Sequence, residues 1–371
     1  MAYIERWKGT RWRARYRTPD GAQRSRVFSR KDDAVAFLAT IEHSKRIGAY
    51  VDPAGGRVCF RDYAEQWRAV QAQHRPTTAI HTETMLRRHV YPFLGSKPMG
   101  AILPSDIQGW VAGRCLVLAP STIEVVYRLV VRVFRAACRD RLLVTHPCVD
   151  IRLPRVDPAR VAPLTVEEVR LLESAMPPRL RTLVLLGATA GLRQGEAFGV
   201  TADRVDFMRR TITVDRQLML LPGGSPQFAP PKTRTSRRTI PVPQFVVDAL
   251  AAHLAEFGEG PDRLVFTNSD GSPIRRNRFS ETWRRAVTAA GVCQGVTYHD
   301  LRHFYASLLI RHGESVKTVQ ARLGHATAQV TLDTYGHLWP DSEDRTRTAV
   351  EAALVSFAAT PTVAAADASG Q

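Results

Sequence analysis

The last tyrosine of the chain, Tyr335, stands in a polar setting that indicates chemistry rather than packing. The stretch HATAQVTLDTYGHL, residues 325–338, surrounds it with histidine and glycine and begins with His325, ten residues before the tyrosine. A phenol has a reference pKa of about 10 and is a poor nucleophile at neutral pH. Chemistry at Tyr335 therefore needs activating groups from elsewhere in the chain.

Three other stretches carry cationic and imidazole groups that could supply this activation. They are TAGLRQGEAFGV (189–200) with Arg193 and Glu196, the basic loop PPKTRTSRRTIPV (230–242) with Lys232, and YHDLRHFYASLLIRHG (298–313) with His299, Arg302 and His303. Each signal is weak by itself, because an Arg–Glu pair is more often an ordinary salt bridge and a lone histidine is more often structural. Only their combination is informative.

Together these groups suit a phosphodiester transfer that needs no metal. Two guanidiniums can neutralise the non-bridging oxygens of the transition state, and a lysine in a loop can protonate the leaving 5′-oxygen. A tyrosine that docks among cations is also expected to have a lowered pKa, which would make it a better nucleophile.

The histidines of HDLRH do not indicate a metal site. His299 and His303 have the i, i+4 spacing of a zincin, but the Glu of H-E-x-x-H is absent, because Asp300 follows His299. We find neither a carboxylate cluster for two metals nor a C-x-x-C pair among the five cysteines. We therefore expect no metal and no cofactor. The scattered cysteines suit a reducing compartment.

Charge is the strongest global signal. The 371 residues include 52 Lys and Arg against 35 Asp and Glu, a net charge of +17 with a pI near 10.3. Nucleic acid is the default partner of such a chain, because phosphate contacts release condensed counterions. The alternative is a merely basic soluble protein. No apolar run is long enough for a membrane helix and the N-terminus is too polar for a signal peptide, so we expect a cytoplasmic protein.

Residues 1–50 are predicted to form a small DNA-binding domain of one sheet and one helix. They hold 12 Lys and Arg against 5 Asp and Glu. The strand RWRARYR alternates strictly, so its four arginines point to one side with no acid among them. These candidate DNA-binding residues are Arg11, Arg13, Arg15 and Arg17. The alternative is a solvated strand face. A small sheet can enter a major groove.

Residues 58–150 are predicted to be all-helical, and residues 164–350 to be mainly helical with a small sheet. The helix STIEVVYRLVVRVFRAACRDRLL carries an apolar stripe and a second stripe of arginines, which are either a solvated face or phosphate contacts. The arginines are Arg128, Arg132, Arg135 and Arg139. The Pro-rich stretch 146–163 is the best linker. The small, polar tail 356–371 is predicted to be disordered. The fold class is therefore a multidomain α+β protein.

Over residues 1–340 the chain resembles the tyrosine recombinases, and among them the phage-type integrases. The resemblance is carried by TAGLRQGE, the lysine loop, HDLRHFYASLLIRHG and LGHATAQVTLDTYGHL in that order. It implies six catalytic residues: Arg193, Lys232, His299, Arg302, His325 and Tyr335. The implied roles are a 3′-phosphotyrosine at Tyr335, a general acid at Lys232, and proton transfer from Tyr335 assisted by His299. His325 would hold the phosphate, with Glu196 and His303 in support.

The resemblance also implies partners and an assembly. Residues 1–50 would bind arm sites and residues 58–150 core sites of double-stranded DNA, and four protomers would assemble through a Holliday junction. An excisionase or a DNA-bending factor could assist. The alternatives are a type IB topoisomerase-like nicking enzyme, a chromosome-dimer-resolving recombinase, and a DNA-binding regulator without catalysis. Alanine and arginine richness hints at a GC-rich bacterial host, in which the protein would associate with the nucleoid.

Overall fold

The chain folds into two compact units, Met1–Pro158 and Ala159–Gln371. The computed structural model describes residues 2–19, 21–48, 50–52, 55–156, 161–220, 224, 226–231, 233–339 and 343–358. Within these ranges no helix combines the length and the apolar character that crossing a membrane requires.

The N-terminal part of the first unit is a three-stranded antiparallel sheet backed by one helix, as predicted. Its elements are β1 Tyr3–Trp7, β2 Arg11–Arg17, β3 Gln23–Phe28 and α1 Lys31–Arg46. Alternation along β2 buries Ala14 and Tyr16 on the side that packs against α1. The helix contributes Ala34, Leu38 and Ile41 to the same core. The arginines of β2 consequently lie on the opposite face of the sheet.

Residues 58–150 fold as helices around a separate hydrophobic core, which confirms the predicted all-helical region. The elements are α2 Phe60–Ala69, α3 Pro76–Met85, a π-helical segment Leu86–Val90, α4 Tyr91–Leu94, α5 Pro104–Cys115 and α6 Pro120–Arg139. The apolar stripe of α6 places Val126, Val130 and Phe134 in this core, fully buried. The arginine stripe of the same helix remains exposed.

The second unit is mainly helical with two small sheets. Its helices are α7 Val166–Ala175, α8 Pro178–Ala190, α9 Gln194–Phe198, α10 Gln244–Phe257, α11 Arg276–Ala289, α12 Tyr298–Arg311, α13 Val316–Leu323, α14 Ala328–Tyr335 and α15 Glu343–Ala358. Its strands are β4 Val205–Asp206, β5 Thr211–Val214, β6 Gln217–Leu220, β7 Pro226–Ala229 and β8 Arg238–Pro241. They form an antiparallel sheet in the order β4-β5-β8 and a β6-β7 hairpin. The predicted fold class is confirmed.

Capping boxes fix the start of two helices in this unit. At α7, the Thr165 hydroxyl accepts from the Glu168 N–H at 3.1 Å, and the Glu168 carboxylate accepts from the Thr165 N–H at 2.7 Å. At α12, Asp300 accepts from the Thr297 N–H at 2.7 Å. Because α12 carries the HDLRH motif, this cap fixes the residue at which the helix begins and therefore the positions of His299, Arg302 and His303 along it.

The end of the chain departs from the prediction. Residues 356–358 belong to α15, which continues to Ala358, so they are helical rather than part of a disordered tail. Residues 359–371 lie outside the described part of the chain.

Candidate active site

A buried carboxylate connects two arginines at one side of the site. Glu196, on α9, is 4% exposed. Its Oε1 accepts from Arg193 Nη1 at 2.8 Å and its Oε2 accepts from Arg238 Nη2 at 2.9 Å. Burial alone would raise the pKa of Glu196, but the charges of Arg238 and Arg193 outweigh it and the pKa is lowered. The carboxylate stays ionised and the predicted Arg193–Glu196 pair is confirmed.

Arg302 of α12 is held inside the protein by backbone carbonyls. It is 1% exposed, and its Nη1 and Nη2 donate to Gly191 O at 2.7 Å and Leu323 O at 2.6 Å. Gly191 ends α8 with φ of 60°, and a Cβ there would lie 2.5 Å from a ring carbon of Tyr305. Burial, with the charges of Arg193 and Arg238, lowers the pKa of Arg302 to about 9, so the guanidinium is charged at neutral pH.

Tyr335 lies at the end of α14 with its hydroxyl 2.8 Å from Nδ1 of His303. The side chain is only 1% exposed. Burial raises the pKa of Tyr335 to about 12 and outweighs the opposing charges of Arg302 and Arg193. The expectation of a lowered pKa was therefore wrong in this state, because the cost of an ionised phenol in a desolvated site exceeds the attraction of the cations.

The histidine that contacts the Tyr335 hydroxyl is His303, whereas the resemblance assigned the transfer of the tyrosine proton to His299. His303, expected only to support the site, contacts the Tyr335 hydroxyl, whereas the ring of His299 lies edge-on to His303 with centroids 4.9 Å apart. His299 lies one helical turn before His303 on α12. Burial, then the charges of His303 and Arg302, lowers the pKa of His299 to about 4. His303 is consequently the histidine within hydrogen-bonding distance of the Tyr335 hydroxyl.

His325 follows the turn after α13 and lies parallel to the tyrosine. The two rings are 6.4 Å apart with planes 7° from parallel. Its Nδ1 is 2.9 Å from the buried hydroxyl of Thr331. Burial, with the charges of Arg302 and Arg193, lowers the pKa of His325 to about 4, so the imidazole is neutral near pH 7. When the Thr331 hydroxyl donates to Nδ1, the proton of the neutral ring is on Nε2.

This arrangement of arginines, histidines and tyrosine agrees with comparisons to known proteins. The phage integrase family domain matches residues 163–341, and the N-terminal SAM-like domain of phage integrases matches residues 59–113. The chain belongs to the phage integrase family. It is an integrase of the tyrosine recombinase class, an enzyme that cleaves and rejoins DNA strands. The resemblance described above is confirmed.

Individual relatives match this integrase over most of its length. The integrase of Mycobacterium phage D29 is 25% identical, over 87% of this chain and 89% of its own. The Tn1549 transposon integrase in complex with transposon right end DNA has a TM-score of 0.70 at 21% identity, covering 80% of this chain and 100% of that one. A lambda integrase tetramer bound to a Holliday junction has a TM-score of 0.58 at 16% identity, covering 88% and 96%.

Two site residues of the integrase need separate comment. Lys232 lies outside the described residues. Arg238 was not predicted, although it is buried beside Glu196. The sequence feature that could have revealed Arg238 is the alternation of side chains along β8. Arg238 lies two residues before the fully buried Ile240, so both side chains point to the inward face of the strand. Within the described ranges, no group of three or more His, Cys, Asp or Glu is arranged to hold a metal.

The N-terminal arginines of the integrase are not equivalent. Arg11 and Arg17 are exposed at the two ends of β2. Arg15 and Arg13 instead pair with Glu5 of β1, at 2.8 and 3.4 Å. The strand itself has no acid among these arginines, but Glu5 reaches their face from the neighbouring strand, in register with Arg13. The solvent-exposed arginines of this strand are therefore Arg11 and Arg17, at its two ends.

The unfolding free energy of the integrase is expected to fall as the pH drops from about 6.5 towards 4. The pKa of His325 is about 4 in the folded protein and about 6.5 for a solvent-exposed histidine, so the unfolded chain takes up this proton first. Its stabilising contribution is complete above pH 6.5 and is lost as the pH falls to 4, at a cost of up to about 3 kcal/mol. Urea denaturation across this range measures the slope.

A pair of histidine variants isolates this contribution. His325→Gln should reduce the decline, leaving the part due to His299, whose pKa is also lowered to about 4. His312→Gln, at an exposed position after α12, should retain the full decline. An equal slope in all three proteins would argue against a depressed pKa at His325.

Proposed function

We propose that this integrase cleaves DNA through a covalent 3′-phosphotyrosine at Tyr335, and that it integrates or excises a phage or another mobile element. The hydrogen bond between the Tyr335 hydroxyl and His303, beside the arginine cluster, carries the proposal. The phenol oxygen attacks phosphorus as its proton passes to Nδ1 of His303, and the bond to the 5′-oxygen breaks. Arg193 and Arg302 neutralise the non-bridging oxygens.

The remaining roles follow from the chemistry and the sequence. Lys232 protonates the leaving 5′-oxygen, His325 donates from Nε2 to the phosphate, and His299 relays the proton that His303 accepts. A 5′-hydroxyl from the same or the exchanging strand then reverses the attack. The bond energy is kept in the phosphotyrosine, so neither ATP nor a metal is a reactant.

The domains have separate roles in this proposal. Residues 1–50 bind arm sites, residues 58–150 bind core sites, and residues 164–350 perform catalysis. The exposed arginines of α6 contact phosphates at the core site: Arg128, Arg132, Arg135 and Arg139. The structural likeness to the lambda integrase tetramer on a Holliday junction supports assembly of four protomers on DNA. The integrase would act at the bacterial nucleoid in the cytoplasm, with an excisionase or a bending factor setting direction.

A covalent trap tests the proposal. The integrase is incubated in EDTA with nicked suicide duplexes taken from the DNA that flanks its gene, and the products are separated on a denaturing gel. We expect a protein–DNA adduct, and peptide mapping should find the nucleotide on Tyr335. An adduct on another residue, or cleavage that EDTA abolishes, would overturn the mechanism. The topoisomerase and dimer-resolution alternatives are not favoured, because relatives named integrase match over most of the chain.

Arg17→Ala is expected to weaken DNA binding by the N-terminal sheet. Arg17 is exposed at the end of β2, on the face opposite α1. Losing one phosphate contact should reduce the slope of log affinity against log salt by about 0.9. Arg46→Ala makes the same charge change at an exposed position on α1 and should leave the slope unchanged. A salt titration of affinity measures both variants, and equal slopes would place DNA on another face.

A further inference from the structure

Three arginines from different elements meet at the C-terminal end of α13. Three consecutive backbone carbonyls there each accept from a different guanidinium: Arg322 O from Arg238 Nε at 2.7 Å, Leu323 O from Arg302 Nη2 at 2.6 Å, and Gly324 O from Arg193 Nη2 at 3.5 Å. The arginines come from β8, from α12 and from the residue before α9. One helix end therefore contacts both arginines assigned to the phosphate and a third one.

The geometry of the helix end explains why it attracts cations. The N–H groups of Gly324 and His325 donate to the carbonyls of Ala321 and Gln320, at 3.1 Å each. The next three carbonyls are left for other donors, and they carry the partial negative charge of the helix terminus. Gly324 turns the chain with φ of 64°, and a Cβ there would lie 3.0 Å from the Ser236 backbone.

Arg238 uses its guanidinium entirely within the protein. Its side chain is 5% exposed. Nε donates to Arg322 O, Nη1 to Ser236 O at 3.0 Å, and Nη2 to Glu196 at 2.9 Å. It is thus bonded at one end to the carboxylate that orients Arg193 and at the other to the helix end that orients Arg302. A lysine, with one nitrogen, could not make these three contacts together.

We propose that Arg238 is a positioning residue that aligns Arg193 and Arg302 for the scissile phosphate. It does so by linking Glu196 to the C-terminal end of α13, and it does not itself bind DNA. The inference rests on the proposed function, in which these two arginines neutralise the phosphate. Misalignment of the donors should slow the cleavage step and leave the affinity for DNA nearly unchanged, because affinity is distributed over many other contacts.

The test compares Arg238→Met and Arg238→Lys with Arg237→Met, which removes the same charge from the exposed neighbouring position. Single-turnover cleavage of a suicide duplex is measured with saturating protein, alongside DNA affinity and the thermal midpoint. We expect Arg238→Met to cleave on the order of 10²-fold more slowly, the effect of one misplaced donor. Arg238→Lys should recover only part of this loss, and Arg237→Met should cleave like the parent chain.

A double-mutant cycle separates positioning from general damage. Because Arg238 acts in part through Arg193, the combined penalty of Arg193→Lys and Arg238→Met should be smaller than the product of the two single penalties. Penalties that multiply, or an Arg238→Met rate equal to that of the parent, would overturn the inference. If Arg238→Met fails to fold, the same cycle is run with Arg238→Lys. Absence of an adduct from the parent chain would instead count against the proposed function.

Discussion

Replacing Tyr335 with phenylalanine is expected to eliminate the covalent protein–DNA adduct. The substitution removes the proposed nucleophilic oxygen and leaves the ring in its buried place among Tyr305, Leu323 and their neighbours. Cleavage of a suicide duplex should fall below detection, while the affinity for the same duplex should stay within about twofold, because DNA contacts elsewhere are untouched. A denaturing gel and a binding titration measure the two effects.

The stability of this variant should change little. Tyr335→Phe leaves Nδ1 of His303 without its partner at 2.8 Å, which costs about 1–2 kcal/mol in a desolvated site. Tyr305→Phe is the matched control, because Tyr305 is buried in the same cluster and loses the same atom. It should still form the adduct. Adduct formation by Tyr335→Phe would show that another residue is the nucleophile.

Replacing Arg302 with methionine is expected to slow strand cleavage by about 10³-fold or more, since loss of a single preorganised donor already costs 10²–10³. The substitution removes a charge that is 1% exposed and two fixed hydrogen bonds, so the phosphate loses a preorganised cation. DNA affinity should change far less than the cleavage rate. Single-turnover rates at saturating protein separate the two quantities.

Arg302→Met also has a predictable effect on folding. It leaves Gly191 O and Leu323 O without their donor, at about 1–3 kcal/mol for each buried group, partly offset because a buried cation is no longer desolvated. Arg311→Met, at the exposed end of α12, controls for the charge change and should cleave normally. Near-normal cleavage by Arg302→Met would remove Arg302 from the proposed mechanism.

Much of the fold follows from patterns that extend over only a few residues. The apolar period of α6, the alternation of β2 and the cap at Thr165 each depend on neighbours within one or two turns. The pairing of Arg193 with Glu196 is local in the same sense, because Arg193 immediately precedes α9 and Glu196 lies three residues further on, in its first turn. Local spacing of this kind is readable in the chain before any tertiary contact forms.

The order of the motifs was equally informative about function. An arginine with a nearby glutamate, HDLRH, LGH and a final tyrosine, in this order, resemble the motifs of the tyrosine recombinases. Their types and sequence order are properties of the chain alone. Which of these groups contact one another cannot be read from the sequence, because the groups lie on α9, α12, α14 and the intervening turns.

Tertiary structure decided the interactions that depend on distance between elements. His303 rather than His299 contacts Tyr335, and the two histidines differ by one turn of α12, so only the rotation of α12 against α14 selects between them. Arg238 is the residue of the basic loop that faces Glu196, a choice set by which way β8 turns in its sheet.

The sequence by itself thus determined which groups this integrase has and the family chemistry they serve, whereas the tertiary structure decided their protonation and their partners. The pKa of Tyr335 shows the physical reason. Nearby cations lower it and burial raises it, and the sequence reveals the cations but not the burial. The extent of desolvation depends on how α12, α13 and α14 pack around the phenol, and it outweighs the charges that the sequence made visible.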